Sequence, residues 1–138
     1  MKSYNLDFEG YWKDKVKSSL PEVAGIYVVY KGTLTEKDTV SLDKIVYIGE
    51  AEDIYARHND QEHEHYRDFV RECGGADHVW YSCAAVSGGE TERKRVEAAL
   101  IYELQPKINT SGKDSFNYPT TVVNSTGRHE YIPDCIVV

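Results

Sequence analysis

Two short stretches rich in β-branched and aromatic residues, 25–31 (GIYVVYK) and 44–48 (KIVYI), constrain this chain more than any other feature. Such residues suit the pleated, buried surface of a sheet. The polar segment between them, 32–43, reads as a hairpin loop or an insertion, so the two strands are expected to pair antiparallel. Gly49 breaks the second run. A third strand is expected over 77–86 (DHVWYSCAAV).

Helices are expected around these strands. Trp12, Val16 and Leu20 recur every four residues, which predicts a weak amphipathic helix over 8–20, ended by Pro21. Asp53 is placed to cap a short helix reaching Arg57. Tyr66, Phe69 and Val70 share one face of a helix over 63–73 that Gly74 and Gly75 stop. Ser87 and Glu90 have capping-box spacing before a helix over 91–104. The tail, 116–124 and 129–138, reads as extended, with a turn at 124–128. The expected fold class is therefore α+β: a small antiparallel three-stranded sheet flanked by helices, with a C-terminal β extension. A length of 138 residues suits one domain, 1–138, made of a core at 24–110 and an extension at 111–138.

Composition bounds the setting. No apolar run approaches the roughly 18 residues of a membrane span, and residues 1–7 lack signal-peptide character. Cys73, Cys83 and Cys135 are an odd number without CxxC spacing, which fits reduced thiols in a cytoplasmic protein. The net charge of −7 opposes general nucleic-acid affinity, which draws on Lys and Arg. Any basic face must come from Arg57, Arg67, Arg71, Arg93, Lys94, Arg95 and Lys107, and acidic residues from Glu50 to Glu64 crowd Arg57.

Five side chains stand out, each with an ordinary alternative. Glu97 lies beside the apolar stripe of Val96, Leu100 and Leu104. A carboxylate there is costly unless paired or bound to a cation, and the helix pattern alone favours an edge position with pairing to Arg93. Tyr27 and Tyr47 alone would be core aromatics. Arg57 alone would be a surface arginine paired with Asp53 or Gln61. Asn109, after Pro106, suits either a loop-bracing bond or direct contact with a ligand. The run 58–65 (HNDQEHEH) is rich in metal-ligand types, yet without cysteines or HExxH spacing it supports zinc only weakly.

Taken together, Gly25-Ile26-Tyr27, Tyr47-Ile48-Gly49, Arg57 ten residues beyond Tyr47, Glu97, Pro106 and Asn109 resemble the GIY-YIG nuclease superfamily over roughly residues 24 to 110. The resemblance implies a metal-dependent endonuclease hydrolysing phosphodiester bonds, with DNA as the nucleic-acid partner. It implies Glu97 as ligand to Mg²⁺ or Mn²⁺, Tyr27 as the base that takes a proton from water, Tyr47 aligning the reactants and Arg57 stabilising phosphate charge, with Asn109, Gly49 and His58 in supporting or substrate-binding positions. A free phenol has a pKa near 10, so a tyrosine base needs about 4 kcal/mol of local help at neutral pH. Three departures weigh on the reading: the long 32–43 segment, Glu50 where many members carry lysine, and Gln61 where many carry histidine. They motivate an alternative, a catalytically inactive module of the same kind that binds nucleic acid or a protein partner. The tail ending Ile136-Val137-Val138 would make an edge strand and a homodimer contact.

Overall fold

Leu6 and Phe8 are buried while their neighbours Asn5, Asp7 and Glu9 are exposed. That two-residue alternation makes a strand. The computed structural model describes residues 1–138, the side chain of Lys37 excepted. It begins with β1 (Lys2–Lys13), where a helix was expected. Val16, counted above as part of an apolar stripe, is exposed on a 3-10 turn, Asp14–Ser19.

The remaining strands are β2 (Gly25–Leu34), β3 (Val40–Ala51), β4 (Val79–Ala85), β5 (Thr121–Gly127) and β6 (Cys135–Val137). Their order is β3-β2-β4-β1-β5-β6. The expected three-stranded antiparallel sheet flanked by helices is thus corrected to a six-stranded mixed sheet carrying few helices. The cause is β1. Its first half, Lys2 to Phe8, pairs in parallel with β5, and its second half, Glu9 to Lys13, pairs antiparallel with β4 across a bulge after Gly10. One strand thereby carries the tail into the sheet as β5 and β6. Pairings between positions about 120 residues apart leave no trace in local propensity.

The segment 32–43 is mostly strand. Gly32, Thr33 and Leu34 pair with Leu42, Ser41 and Val40, so the β2–β3 hairpin is long and its turn is short. The tail turn lies between Gly127 and Cys135 and not at 124–128.

Both sheet faces are covered, which explains the unbroken apolar run of β2. The helices are α1 (Ile54–Asn59), α2 (Tyr66–Cys73) and α3 (Glu90–Leu104), and Ile26, Val28 and Tyr30 face a core shared with Val96, Ala99, Leu100 and Ile101 of α3. Tyr27 and Val29 face the opposite core, with Ile54 of α1 and Phe69 and Cys73 of α2. Asp53 caps α1 as expected, accepting the Ala56 N–H at 3.1 Å. The capping box does not form: the N-cap of α3 is Gly89, and no side chain caps it.

Candidate active site

Tyr27 pairs across the sheet with Gly49, and its ring lies over that glycine. A Cβ at position 49 would stand 2.3 Å from the tyrosine oxygen. Gly49 therefore gives the phenol its path toward β3, an edge strand of the sheet. Tyr47 lies on the same face, its ring stacked 6.2 Å from that of Tyr27.

The outer edge of β3 is held by the chain that follows α3. The Asn109 carboxamide accepts the Ile48 N–H at 3.0 Å and donates to the Ile48 carbonyl at 2.9 Å. The Ile108 N–H donates to the Val46 carbonyl at 3.0 Å. Asn109 is buried and occupies the place of one residue of a neighbouring strand. Of the two roles open to it, bracing the backbone between the tyrosine and the glycine of β3 is the one its bonds serve.

Histidines line the other side of Tyr27. The phenol oxygen is 2.7 Å from His63 Nε2. His63 Nδ1 accepts the His65 backbone N–H at 3.0 Å, so in the neutral ring the proton sits on Nε2, which donates to the tyrosine oxygen. Burial, then Arg57 and His58, lower the His63 pKa to about 3. A neutral, donating His63 leaves the Tyr27 O–H free for another acceptor. His63 is thus the histidine that meets the phenol, and Gln61 makes no such contact. Helix α1 ends at Asn59, the chain turns, and Gln61 is exposed.

His58 lies beneath Tyr27, which is itself only 2 % exposed. It is 3 % exposed, its ring 4.5 Å edge-on to Tyr27 and 4.9 Å from Tyr81, and its Nε2 lacks a partner. Burial, with Arg57 and Lys17, lowers its pKa to about 3. Its support for the site is packing beneath the phenol. His58 and His63 stack nearly parallel at 5.3 Å and converge on no common point. Among the described residues no three His, Cys, Asp or Glu side chains are grouped as ion ligands, either at these histidines or at Glu97.

The charges of Glu97 and Arg57 both reach the two tyrosines. Burial pushes the Tyr27 phenol up first, followed by Tyr47, with Glu97 and Glu64 adding to the rise and Arg57 opposing it. Tyr47 is pushed up to about 12 by burial, Glu97 and Glu64, and Arg57 again opposes. Glu97 itself rises to about 7 through burial and the Glu50 charge, and a backbone hydrogen bond from Glu50 and the Lys94 charge pull it back. Among the described residues it makes no ion pair. A half-buried carboxylate in that state fits a hard cation, since Mg²⁺ is commonly held by one or two carboxylates with water and phosphate oxygens.

Two pairings differ from the sequence expectations. Arg93 turns from Glu97 to Glu50, with Nε 2.8 Å from its carboxylate and both side chains largely buried. Glu50, which a phosphate would otherwise meet as a bare negative charge, is thereby neutralised. Arg57 pairs with Glu64 at 3.1 Å and with neither Asp53 nor Gln61. The sequence also gave no sign of the buried Asp14, which accepts the Tyr66 and Tyr81 hydroxyls at 2.6 and 2.7 Å and ties α2 to the sheet behind His58. A cavity of about 450 Å³ beside Tyr11, Val40, Trp80 and Arg128 lies toward the hairpin tip and gathers none of these groups.

Comparison with protein-family models, curated proteins and solved structures gave no significant match. No helix is long and apolar enough to cross a membrane.

Proposed function

We propose that the protein is a divalent-metal-dependent endonuclease of the GIY-YIG kind, hydrolysing phosphodiester bonds in DNA. The observation that carries the reading is the pair of tyrosines, stacked 6.2 Å apart on one sheet face over Gly49, with the charges of Glu97 and Arg57 both reaching them. Glu97 would hold Mg²⁺ or Mn²⁺. A bound divalent ion supplies charge neutralisation at the phosphate and eases loss of a proton from the attacking water.

The chain's own groups divide the remaining work. Arg57 offers a planar fork of donors to a phosphate gaining negative charge. Its partner Glu64 is exposed, so the pair opens at small cost to admit the phosphate. Tyr27 accepts the water proton at its phenol oxygen. Because burial raises its pKa, the phenol is still protonated when attack begins, so the transfer is concerted: as the water proton arrives at the phenol oxygen, the Tyr27 O–H proton passes to a non-bridging oxygen of the scissile phosphate. His63 Nε2–H holds the phenol oxygen in place and cannot take the proton itself, its Nδ1 being spent on the His65 N–H. Tyr47, half-buried beside Tyr27, orients the water or a phosphate oxygen.

The test is incubation of labelled duplex, branched and single-stranded substrates with Mg²⁺ or Mn²⁺. Wild type is expected to cleave at least about 100-fold faster than Glu97→Gln, the scale of removing one charged group from a phosphoryl-transfer site. Equal rates would remove the enzyme. The raised Tyr27 pKa and the net charge of −7 favour a second reading, a non-catalytic module binding nucleic acid or a protein. Binding without turnover selects it, and a salt slope near zero then selects protein over nucleic acid. A cytoplasmic setting and self-association through the β6 edge belong to the same proposal. The first draws on three unpaired thiols, and a monomer by light scattering at micromolar concentration excludes the second.

A further inference from the structure

We infer that the cleft between α2 and the outer edge of β3 carries the sugar-phosphate backbone of a polynucleotide away from the tyrosines, with Arg71 and Lys107 gripping a phosphate next to the one that is cut. The inference rests on the nuclease reading and adds a substrate subsite and a direction to it.

The cleft has a volume of about 270 Å³ and is lined by His65, Asp68, Arg71, Glu72, Lys107 and Thr110. It adjoins the candidate site directly. The His65 ring packs 5.2 Å from Tyr47, and the wall opposite α2 is the 108–109 segment laid along β3. A chain leaving Tyr47 in this direction meets His65 first and the two cations next.

Charge gives the cleft its polarity. Glu72 is contacted by both Lys44 and Lys107, the latter at 3.0 Å, so one carboxylate answers two ammonium groups. Asp68 is shared between His65 at 3.1 Å and Arg71 at 3.5 Å. Within the cleft Arg71 and Lys107 face Asp68 and Glu72, and Lys44, outside its lining, also binds Glu72. The Arg71 and Lys107 side chains remain 79 % and 70 % exposed, so their donors are available to a ligand. Surface pairs of this kind exchange readily for a phosphate, because each is worth little in water. The other flank of the site is more acidic. Glu52, Asp60, Glu62 and Glu64 are all exposed there, and Arg57 is the guanidinium among them. In a chain of net charge −7 the cleft is where phosphates beyond the scissile one find cations.

The test uses fluorescence anisotropy of fluorescein-labelled single-stranded DNA, duplex DNA and single-stranded RNA 20-mers, in EDTA, across 50 to 300 mM salt (roughly the range in which counterion release is resolved). For the double variant R71Q/K107Q, affinity is expected to fall about tenfold or more at the lowest salt. Loss of two phosphate contacts should also reduce the salt slope by about 1.4 for single strands or 1.8 for a duplex. The double variant K15Q/R128Q makes the same charge change at exposed positions away from the cleft and is expected to stay within about twofold of wild type. Preference among the three probes tells which nucleic acid the cleft takes. Failure of wild type to bind any of them at the lowest salt, or equal losses in the two double variants, overturns the inference. Cleavage by wild type with an unchanged KM in R71Q/K107Q overturns the cleft and leaves the nuclease. Cleft-dependent binding with no cleavage keeps the cleft and removes the nuclease.

Discussion

Gly49 and Glu97 are the residues where small changes bear most directly on the site. A Cβ at Gly49 would overlap the Tyr27 ring and oxygen, and neither can retreat, since the ring is buried and its oxygen is bonded to His63. Gly49→Ala is expected to lower stability by about 1–3 kcal/mol, the cost of overpacking a filled core, and to displace the phenol. Urea unfolding measures the first effect and cleavage of a labelled oligonucleotide the second. An unchanged urea midpoint would mean that the ring does not lie where it is described. At Glu97 the raised pKa sets a pH dependence. The carboxylate is protonated below about pH 7 and ionised above it, so affinity for Mg²⁺ is expected to fall about tenfold per pH unit below that value. Glu50→Gln removes the like charge and frees Arg93 from its partner, and both changes move the midpoint of that dependence downward. Titration calorimetry with Mg²⁺ from pH 5.5 to 8.5 reads the midpoint, and a midpoint that stays put would exclude Glu50 as a cause of the rise.

Elements were legible in proportion to how locally they are stabilised. Residues 25–31 and 44–48 are strands because their own residues demand burial on two faces, and the periodic 91–104 segment lies inside the observed α3. Tyr27 and Tyr47 come to one sheet face through the β2–β3 register, and the roles proposed for them with Arg57 and Glu97 draw on motif spacing, which does not depend on fold class. What could not be read depends on distant partners. Strand β1 is specified by pairing with β4 and β5, and Trp12, Val16 and Leu20 mimicked a helix because spacing by four is a weak pattern in a window holding few apolar residues. Which of the histidines at 58, 63 and 65 meets the phenol could not be read for a related reason: the chain turns after Asn59, so no helical count places His63. The brace at Asn109 joins an edge strand to a loop, and its role follows from geometry alone. Asn109→Asp keeps an acceptor for the Ile48 N–H and loses the donor to the Ile48 carbonyl, leaving two oxygens opposed. A loss of about 1–3 kcal/mol is expected, the cost of one unsatisfied buried group, with faster hydrogen exchange at Ile48. Protection at Ile48 equal to wild type would show that the brace does not hold β3.

At the scale of the whole molecule, the same buried groups set acid stability, and they pull in opposite directions. His58 and His63 have folded-state pKa values of about 3 against an ordinary 6.5, so the unfolded chain takes up their protons first. Their contribution is fully present above pH 6.5 and is lost as pH falls toward 3. Glu97 has the opposite sign: its folded pKa of about 7 exceeds the ordinary 4.5, so the folded chain holds the extra proton between those values and stability from this group declines as pH rises through them. Between pH 5 and 6 the unfolded chain therefore binds two more histidine protons and one fewer carboxylate proton, a net of about one. One proton corresponds to about 1.4 kcal/mol per pH unit, with stability rising with pH. Glu97→Gln removes the opposing group and should steepen the slope toward about 2.7 kcal/mol per unit, as an upper bound for groups still partly open to solvent. His58→Phe keeps a ring beneath Tyr27, removes the unpartnered Nε2, and should flatten the slope toward zero while leaving stability at pH 7.5 unchanged or higher. Urea midpoints at half-unit steps from pH 5 to 7.5 separate the three proteins. Parallel curves would mean that these side chains titrate alike in the folded and unfolded chain, and the buried cluster beneath the tyrosines would then be open to water.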